Sequence, residues 1–223
     1  NTANEPVTLG AALDVDGTLT ITAGTLDVSA SNYGITAQSW TDTGAGAFTE
    51  GSGTVTFDVA GGTINSNEAF NNVTINHGGT STLGAALDVD NTLTLTAGTL
   101  DASASNYGIT AKSWTDSGAG AFTERSGTVT FDVAGGTINS NEAFNNVTID
   151  HSGTSTLGAA LDVNGTLTIT AGTLDASTSN YGINVAGNWS NSGTFTAQSG
   201  TVTLDGGDQT LSGATTFNNL TKT

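Results

Sequence analysis

Two pairs of alternating carboxylates are the first residues in the chain whose type and spacing could do chemistry. Asp14 and Asp16 precede one turn, and Asp88 and Asp90 precede its copy. Alternate residues of a strand point to the same side, and carboxylate oxygens are the ligands that Ca²⁺ prefers. The pairs therefore suggest two Ca²⁺ sites, although each pair alone supplies fewer than the roughly six to eight oxygens that Ca²⁺ takes. Because Asn164 replaces one carboxylate in the third copy, an ordinary acidic turn is the other interpretation. No other cofactor is expected.

Histidine and basic residues give little support to catalysis. His77 and His151 occupy corresponding positions, and no Cys is present to complete a transition-metal site, so polar turn residues are favoured. Polysaccharide lyases use Arg or Lys on a uronate, yet Arg125 corresponds to Gly51 in the near-identical first copy. Carboxylates are numerous, but nothing in the sequence brings two of them together for glycoside hydrolysis. We therefore predict that the protein is not an enzyme.

Threonine alternates with apolar residues in a recurring Thr-x-Thr pattern. In a strand, this alternation sends the threonines outward and Leu, Ile or Val inward. We expect two threonine columns on one flat sheet, interrupted at Gln38, Lys112, Asn184 and Ala186. Regular Thr-x-Thr arrays resemble the ice-binding faces of several solenoid antifreeze proteins, whereas the simpler interpretation is that Thr is a good exposed strand residue. The predicted face consists of Thr18, Thr20, Thr54, Thr56, Thr74, Thr92, Thr94, Thr128, Thr130, Thr148, Thr166 and Thr168.

An internal repeat supplies the elements that must position these residues. Residues 8–81 and 82–155 are consecutive 74-residue units that differ at eight positions, and a shortened third unit covers residues 156–223. Self-similarity at a fixed period indicates a stacked array in which each unit buries its apolar face on its neighbour. We therefore predict that residues 1–223 form a single continuous solenoid.

Each unit divides further into short strand-like rungs. Residues 18–21, 35–38, 54–57 and 72–75 follow one another at rungs of 18 to 20 residues, about twelve in the chain. Gly, Asn, Asp and Ser between them permit tight turns, and no segment shows a helical apolar period. The sequence predicts an all-β fold, a parallel β-helix (β-solenoid) that is right-handed by the default of parallel crossovers.

The same division predicts how the core is arranged. Phe57, Phe131 and Leu204 are expected to share one core column because they occupy equivalent positions in the three units. The three tryptophans, one in each unit, are expected to pack in the core or at corners. A row of sugar-stacking aromatic rings is the alternative.

Composition limits the partners. The chain has 3 Lys+Arg and 20 Asp+Glu, with a formal net charge of −17, which opposes binding to nucleic acid or to anionic membranes. No apolar run is long enough to insert across a bilayer. The lack of Cys excludes disulfides and thiolate metal sites. An acidic surface is suited to keeping a long rod hydrated.

Two segments carry a resemblance to a known group of proteins. Residues 165–174 read Gly-Thr-Leu-Thr-Ile-Thr-Ala-Gly-Thr-Leu, and residues 187–193 read Gly-Asn-Trp-Ser-Asn-Ser-Gly. Such rungs resemble the right-handed β-helical repeats of filamentous-haemagglutinin-type adhesins and of giant repetitive bacterial surface proteins. The resemblance extends over the whole chain at the level of single rungs. It implies an extracellular or cell-surface stalk, fibre or adhesive rod, and it transfers no catalytic residue.

The ends of the chain suggest how such a rod would grow. Residues 217–221 match the middle of a unit at residues 70–74, and the chain starts without Met, so we interpret it as part of something longer. Uncapped solenoid ends invite strand pairing, and the expected partner is the chain itself by end-to-end stacking into filaments. The predicted function is therefore a structural or adhesive rod. The alternative is an ice- or glycan-binding protein that uses the threonine columns.

Overall fold

The computed structural model describes residues 6–116 and 118–223, with the side chain of Thr43 left undescribed. In these ranges every element is a strand, and all strand pairs are parallel. The strands stack as a β-solenoid of about 11 turns, which confirms the predicted fold class and is close to the expected count of twelve. The described residues include no helix that is long and apolar enough to cross a membrane.

The strands are short where a corner interrupts them and long where pairing continues through the corner. Outward and inward side chains alternate along most of them, as the Thr-x-Thr pattern predicted. In chain order they are β1 (Val7–Thr8), β2 (Leu13–Asp27), β3 (Ile35–Thr49), β4 (Thr54–Phe57), β5 (Thr63–Asn65), β6 (Phe70–Leu83), β7 (Leu87–Asp101), β8 (Ile109–Asp116), β9 (Gly120–Thr123), β10 (Thr128–Phe131), β11 (Thr137–Asn139), β12 (Asn146–Leu157), β13 (Leu161–Val163), β14 (Leu167–Asp175), β15 (Ile183–Val185), β16 (Trp189–Asn191), β17 (Thr194–Thr196), β18 (Thr201–Leu204), β19 (Leu211–Ser212) and β20 (Asn219–Lys222).

Successive turns stack in direct register, and their lengths do not divide the sequence repeat evenly. Leu13 pairs with Ile35, Ile35 with Val55, Val55 with Val73, and Val73 with Leu93. Four turns thus carry the stack from residue 13 to residue 93, a span of 80 residues, whereas the repeat has 74. Each unit is therefore displaced around the solenoid axis relative to the one before it, by six residues or about a third of a turn.

This displacement places equivalent residues of the three units in different stacks. Phe57 stacks on Ile75, and Phe131 stacks on Ile149, in two separate series of strand pairs. Leu204 belongs to a third series with β15 and β20. The prediction that the three residues share one core column is therefore wrong. It assumed four turns in each unit, but the turn from Leu13 to Ile35 alone takes 22 residues.

The recurring aromatic residues fill the core. Trp40 and Trp114 are fully buried, and Trp189 is 1% exposed. The Trp40 ring meets Phe48 edge-on at a centroid distance of 4.8 Å and Phe70 at 5.0 Å. The same arrangement recurs around the other two tryptophans. The prediction of core packing is confirmed, and the rings are not available for stacking on a sugar.

The fold predicts which aromatic residues hold the stack together. Phe57→Ala should lower the free energy of unfolding by about 3–5 kcal/mol, because Phe57 is fully buried between two turns and its removal leaves a cavity. Val133→Ala is the control, since Val133 is 37% exposed and its replacement should change stability by less than about 0.5 kcal/mol. Urea unfolding followed by circular dichroism measures both. Equal effects of the two substitutions would contradict the stacked core.

Candidate functional site

The outward threonines form vertical ladders along the solenoid. Thr36, Thr56, Thr74, Thr94 and Thr115 are direct partners on five successive turns, and we call them the first threonine ladder. All five are half-buried, whereas the apolar residues beside them are buried. Parallel neighbours lie about 4.8 Å apart, so the hydroxyl-bearing side chains repeat at that spacing. A second column beside it contains Thr54, Asn72 and Thr92.

An equivalent ladder occupies a different strand series in the next unit. Thr110, Thr130, Thr148 and Thr168 are direct partners, and we call them the second threonine ladder. The neighbouring column contains Thr128 and Asn146, and the amide of Thr166 donates a 2.9 Å hydrogen bond to the Asn146 side chain.

The remaining two predicted face residues lie elsewhere again. Thr18 pairs with Ser39, and Thr20 pairs with Thr41, in the strand series that continues to β5. The expectation of one flat sheet is therefore wrong: the six-residue displacement distributes the face over three strand series. The expected interruption at Gln38 is also wrong, because Thr36 occupies the ladder position.

The predicted Ca²⁺ ligands lie at the heads of these ladders. Asp14 is the strand partner of Thr36, and Asp88 is the partner of Thr110, with both aspartates exposed. Asp16 and Asp90 follow two residues later and are also exposed. The described residues contain no group of three or more His, Asp or Glu side chains arranged to hold a metal ion. Ca²⁺ binding by these pairs stays a prediction.

Like charges surround the second of these aspartates. Partial desolvation by the surrounding strands raises the pKa of Asp88 although its side chain is exposed, and the negative charges of Asp90, Asp132 and Glu50 raise it further. Partial desolvation likewise raises the pKa of the exposed Asp162, and the charges of Asp205 and Glu124 add to the shift. Negative charge is therefore concentrated around Asp88 and Asp162.

Two of the three basic residues are already engaged. Arg125 binds Asp101 in a two-pronged ion pair, with Nε 2.9 Å from Oδ1 and a terminal nitrogen 2.7 Å from Oδ2. This hydrogen bond lowers the pKa of the Asp101 carboxyl. In the third unit, Gln198 Nε2 donates a single hydrogen bond of 2.9 Å to Oδ1 of the corresponding Asp175. Lys222 donates to main-chain carbonyls at the last turn. Arg125 therefore links two turns through its ion pair with Asp101, a role that sequence reasoning missed.

The two histidines lie within strands β6 and β12, where they are buried and hydrogen-bonded, so the expectation of polar turn residues is wrong. His77 is 7% exposed, and its Nε2 lies 2.8 Å from the hydroxyl of the fully buried Ser81. The amide of Gly79 donates to Nδ1 at 3.0 Å, so Nδ1 is unprotonated and Nε2 carries the proton. His151 and Ser155 repeat the histidine–serine distance of 2.8 Å. The sequence signal was that a serine follows each histidine by four residues in both units.

This hydrogen-bond pattern determines what the pair can do. Because Nε2–H donates to the serine, that nitrogen has no lone pair to accept the serine proton, so the pair is not arranged as a nucleophile and its base. Burial lowers the pKa of His77, an effect that the charge of Asp58 opposes. Burial also lowers the pKa of His151, against Asp132 and Asp150. The hydrogen bond of His77 to Ser81 lies beside the register irregularity between Asn76 and Thr80, and burial favours the neutral imidazole.

Comparison with known proteins gives no relative: the chain matches no family model, no curated protein and no solved structure. The β-solenoid fold stands on the strand pairing, and the resemblance to bacterial adhesins stays a prediction.

The buried histidines predict a loss of stability in mild acid. As the pH falls below about 6.5, the unfolded chain takes up protons that the folded imidazoles resist, so the free energy of unfolding should decrease until the lowered folded pKa is passed. His77→Asn retains an acceptor for the Gly79 amide and removes one titrating group. It should remove about half of the decrease, and adding His151→Asn should remove most of the rest.

Urea unfolding at several pH values above 5 measures this effect. The raised carboxyl pKa values of Asp88 and Asp132 act in the opposite direction, since their folded forms bind protons more tightly, but the ordinary pKa of Asp, 3.8, lies well below that of His, 6.5. An unchanged pH dependence in the double variant would contradict the assignment.

Proposed function

We propose that this chain is a structural rod of an extracellular, bacterial cell-surface assembly, acting as a stalk, fibre or adhesin shaft. The observation that carries the proposal is the unbroken parallel stack that runs from β1 to β20 through all three units. Because nearly identical units follow one another, adding or removing a unit would change the length of the rod without changing its chemistry. The net charge of −17 keeps a rod of this kind hydrated.

The rod resists deformation through two continuous features. Main-chain hydrogen bonds join each turn to the next along the axis, and the buried apolar residues form one core cluster from Ile21 to Leu204. With about 11 turns at about 4.8 Å each, the described body is about 50 Å long. Arg125 and Gln198 add side-chain bonds between turns on the outside.

The two ends of the stack are suited to self-association. Val7 in β1 is 52% exposed, Leu211 in β19 is 45% exposed and Leu220 in β20 is 45% exposed. Leu220 stacks on Val202 of the preceding turn. Among the described residues, β1 and β20 each pair along a single edge. An apolar end face with a free strand edge favours head-to-tail stacking of copies into a filament.

Electron microscopy of the purified chain tests this proposal. The wild-type chain should form filaments whose length grows with protein concentration. Leu220→Lys should leave short rods of about 50 Å, because a charge on the end face opposes burial against the next copy. Val133→Lys is the matched control on the flank of the rod and should leave filaments intact. Short rods from the wild-type chain at every concentration, or filaments from Leu220→Lys, would contradict end-to-end assembly.

A second candidate is binding to ice or to a glycan through the threonine ladders. The observation that favours it is the unbroken register of five threonines in the first ladder. A regular array of hydroxyl and methyl groups at about 4.8 Å matches a repetitive ligand better than a single molecule. Because the two ladders lie in separate strand series, each would bind independently.

Single-ladder variants test this candidate. Thr74→Leu interrupts the first ladder and Thr148→Leu the second, so each should reduce ice shaping or glycan retention and the double variant should abolish it. Thr63→Leu, an exposed threonine outside both ladders, is the control and should change nothing. A double variant that shapes ice or is retained on the glycan like the wild-type chain would exclude the ladders as the binding surface.

A further inference from the structure

Each unit places a tryptophan and an acidic or amide residue together in the core, two residues apart in sequence. In the third unit this pair is completed by Thr215. Trp189 Nε1 donates to Thr215 Oγ1 at 3.1 Å, and Asn191 Nδ2 donates to the same oxygen at 3.0 Å. Asn191 Nδ2 also reaches the carbonyl of Ala214 at 3.2 Å, and Asn191 Oδ1 accepts from the amide of Gly193 at 3.0 Å. One hydroxyl oxygen therefore satisfies both core side chains.

The first two units have the same pair without the hydroxyl. Trp40 and Asp42 are both fully buried, and Trp40 Nε1 and both Asp42 carboxylate oxygens have no hydrogen-bond partner among the described residues. Trp114 Nε1 and Asp116 Oδ2 are likewise unpartnered within the described ranges. The other oxygen, Asp116 Oδ1, accepts from the amide of Gly118 at 2.9 Å, as Asn191 Oδ1 does in its own unit. Asp116 Oδ2 thus corresponds to the nitrogen that binds Thr215.

The residue that replaces Thr215 explains the difference. Glu68 and Glu142 occupy its position, two residues before the phenylalanine that packs on each tryptophan. The amide of Glu68 donates to Ser66 Oγ at 3.1 Å, which holds its main chain in a turn. Its carboxylate does not bond Trp40 Nε1, and its charge adds to the burial that raises the pKa of Asp42. Where the third unit has Thr215 and Asn191, the first has Glu68 and Asp42, so the oxygen that both core side chains share is missing. The indole N–H of Trp40 and the carboxylate of Asp42 are therefore left without a partner among the described residues at the position that Thr215 Oγ1 occupies in the third unit.

The unpartnered indole N–H and carboxylate oxygens restrict which molecule can bind between them. It must accept a hydrogen bond from an indole N–H and donate one to a carboxylate oxygen. A metal cation cannot accept from the N–H, and an anion is repelled by Asp42. Protonation of Asp42 alone would still leave the indole N–H unbonded, at a cost of about 1–3 kcal/mol. Water does both, and buried waters of this type make about three hydrogen bonds.

We propose that the first and second units each bind one buried water molecule at the position of Thr215 Oγ1, bridging Trp40 to Asp42 and Trp114 to Asp116. The carbonyls of Asn67 and Asn141, which correspond to that of Ala214, are the third partner. The third unit has replaced the water with its own side chain. The solenoid interior therefore contains two specific hydration sites and one equivalent site that the Thr215 hydroxyl fills.

A crystal structure of the wild-type chain at high resolution tests the proposal, and the third unit serves as an internal reference. We expect a water peak within hydrogen-bond distance of Trp40 Nε1 and Asp42, and another at Trp114 and Asp116, each superposing on Thr215 Oγ1. A peak with several contacts of about 2.3–2.6 Å that persists with added Ca²⁺ would identify a cation and overturn the proposal. No peak at either site would also overturn it.

A paired substitution provides the matched control. Asp42→Asn with Glu68→Thr converts the first site to the sequence of the third unit, and the introduced hydroxyl should displace the water there while the second site keeps its own. In solution, oxygen-17 relaxation dispersion of water should then report one long-lived water fewer than in the wild-type chain. An unchanged count, or loss of both waters, would contradict independent sites. This measurement does not depend on the proposed rod function.

Discussion

The constraint on which the whole structure depends is direct vertical register between turns. In a parallel stack, each main-chain amide and carbonyl bonds to the turn above or below, so an inward side chain must rest on the inward side chain of its neighbour. This requirement makes the core a series of stacked Leu, Ile, Val and Phe residues and sends the threonines outward in ladders. Turns of different length satisfy it because the extra residues are accommodated at corners, while the paired residues keep their register.

The mismatch between turn length and sequence repeat determines where the repeated features lie on the surface. Since 74 residues do not complete four turns, a feature that recurs once in each unit appears in a different strand series each time. The first and second threonine ladders, headed by Asp14 and Asp88, follow this rule, and in the third unit Asp162 heads a column that continues through Asn184 and Thr203. Three units correspond to about 11 turns, after which the same features would return to the same side. A rod of this design presents similar chemistry in several directions, which is suited to a shaft and limits the length of any single flat binding face.

The sequence predicted the strands, their parallel stacking and the burial of the tryptophans, because alternation and repeat length carry that information directly. It did not predict the length of individual turns. The Ser-Asn-Tyr-Gly segments contain backbone in the left-handed region at Asn32, Asn106 and Asn180, and they extend the turn beyond the number of residues that the strand spacing suggested. The error moved Gln38 into a ladder position that belongs to Thr36.

The polar contacts of the interior were harder to predict for a related reason. His77 meets Ser81 because pairing with the next turn shifts register between Asn76 and Thr80, an irregularity that composition does not show. The missing hydrogen bonds of the tryptophan–aspartate pairs are recognised by comparison with the third unit, where the Thr215 hydroxyl accepts from both Trp189 and Asn191. Near-identical repeats therefore act as internal comparisons: where the third unit departs from the first two, the departure identifies a group with an unmet hydrogen bond.

Disulfide trapping tests the central claim, the register between turns, most directly. The chain has no cysteine, so two introduced thiols report on a single contact. Thr94 and Thr115 are partners in the stack, whereas four turns of about 18 residues in each unit would pair Thr94 with Lys112. Strand partners about 4.8 Å apart lie within the Cα range of a disulfide. Thr94→Cys with Thr115→Cys should therefore form an intramolecular disulfide on mild oxidation, while Thr94→Cys with Lys112→Cys should stay reduced. The reverse result would contradict the displaced register and the arrangement of ladders that depends on it.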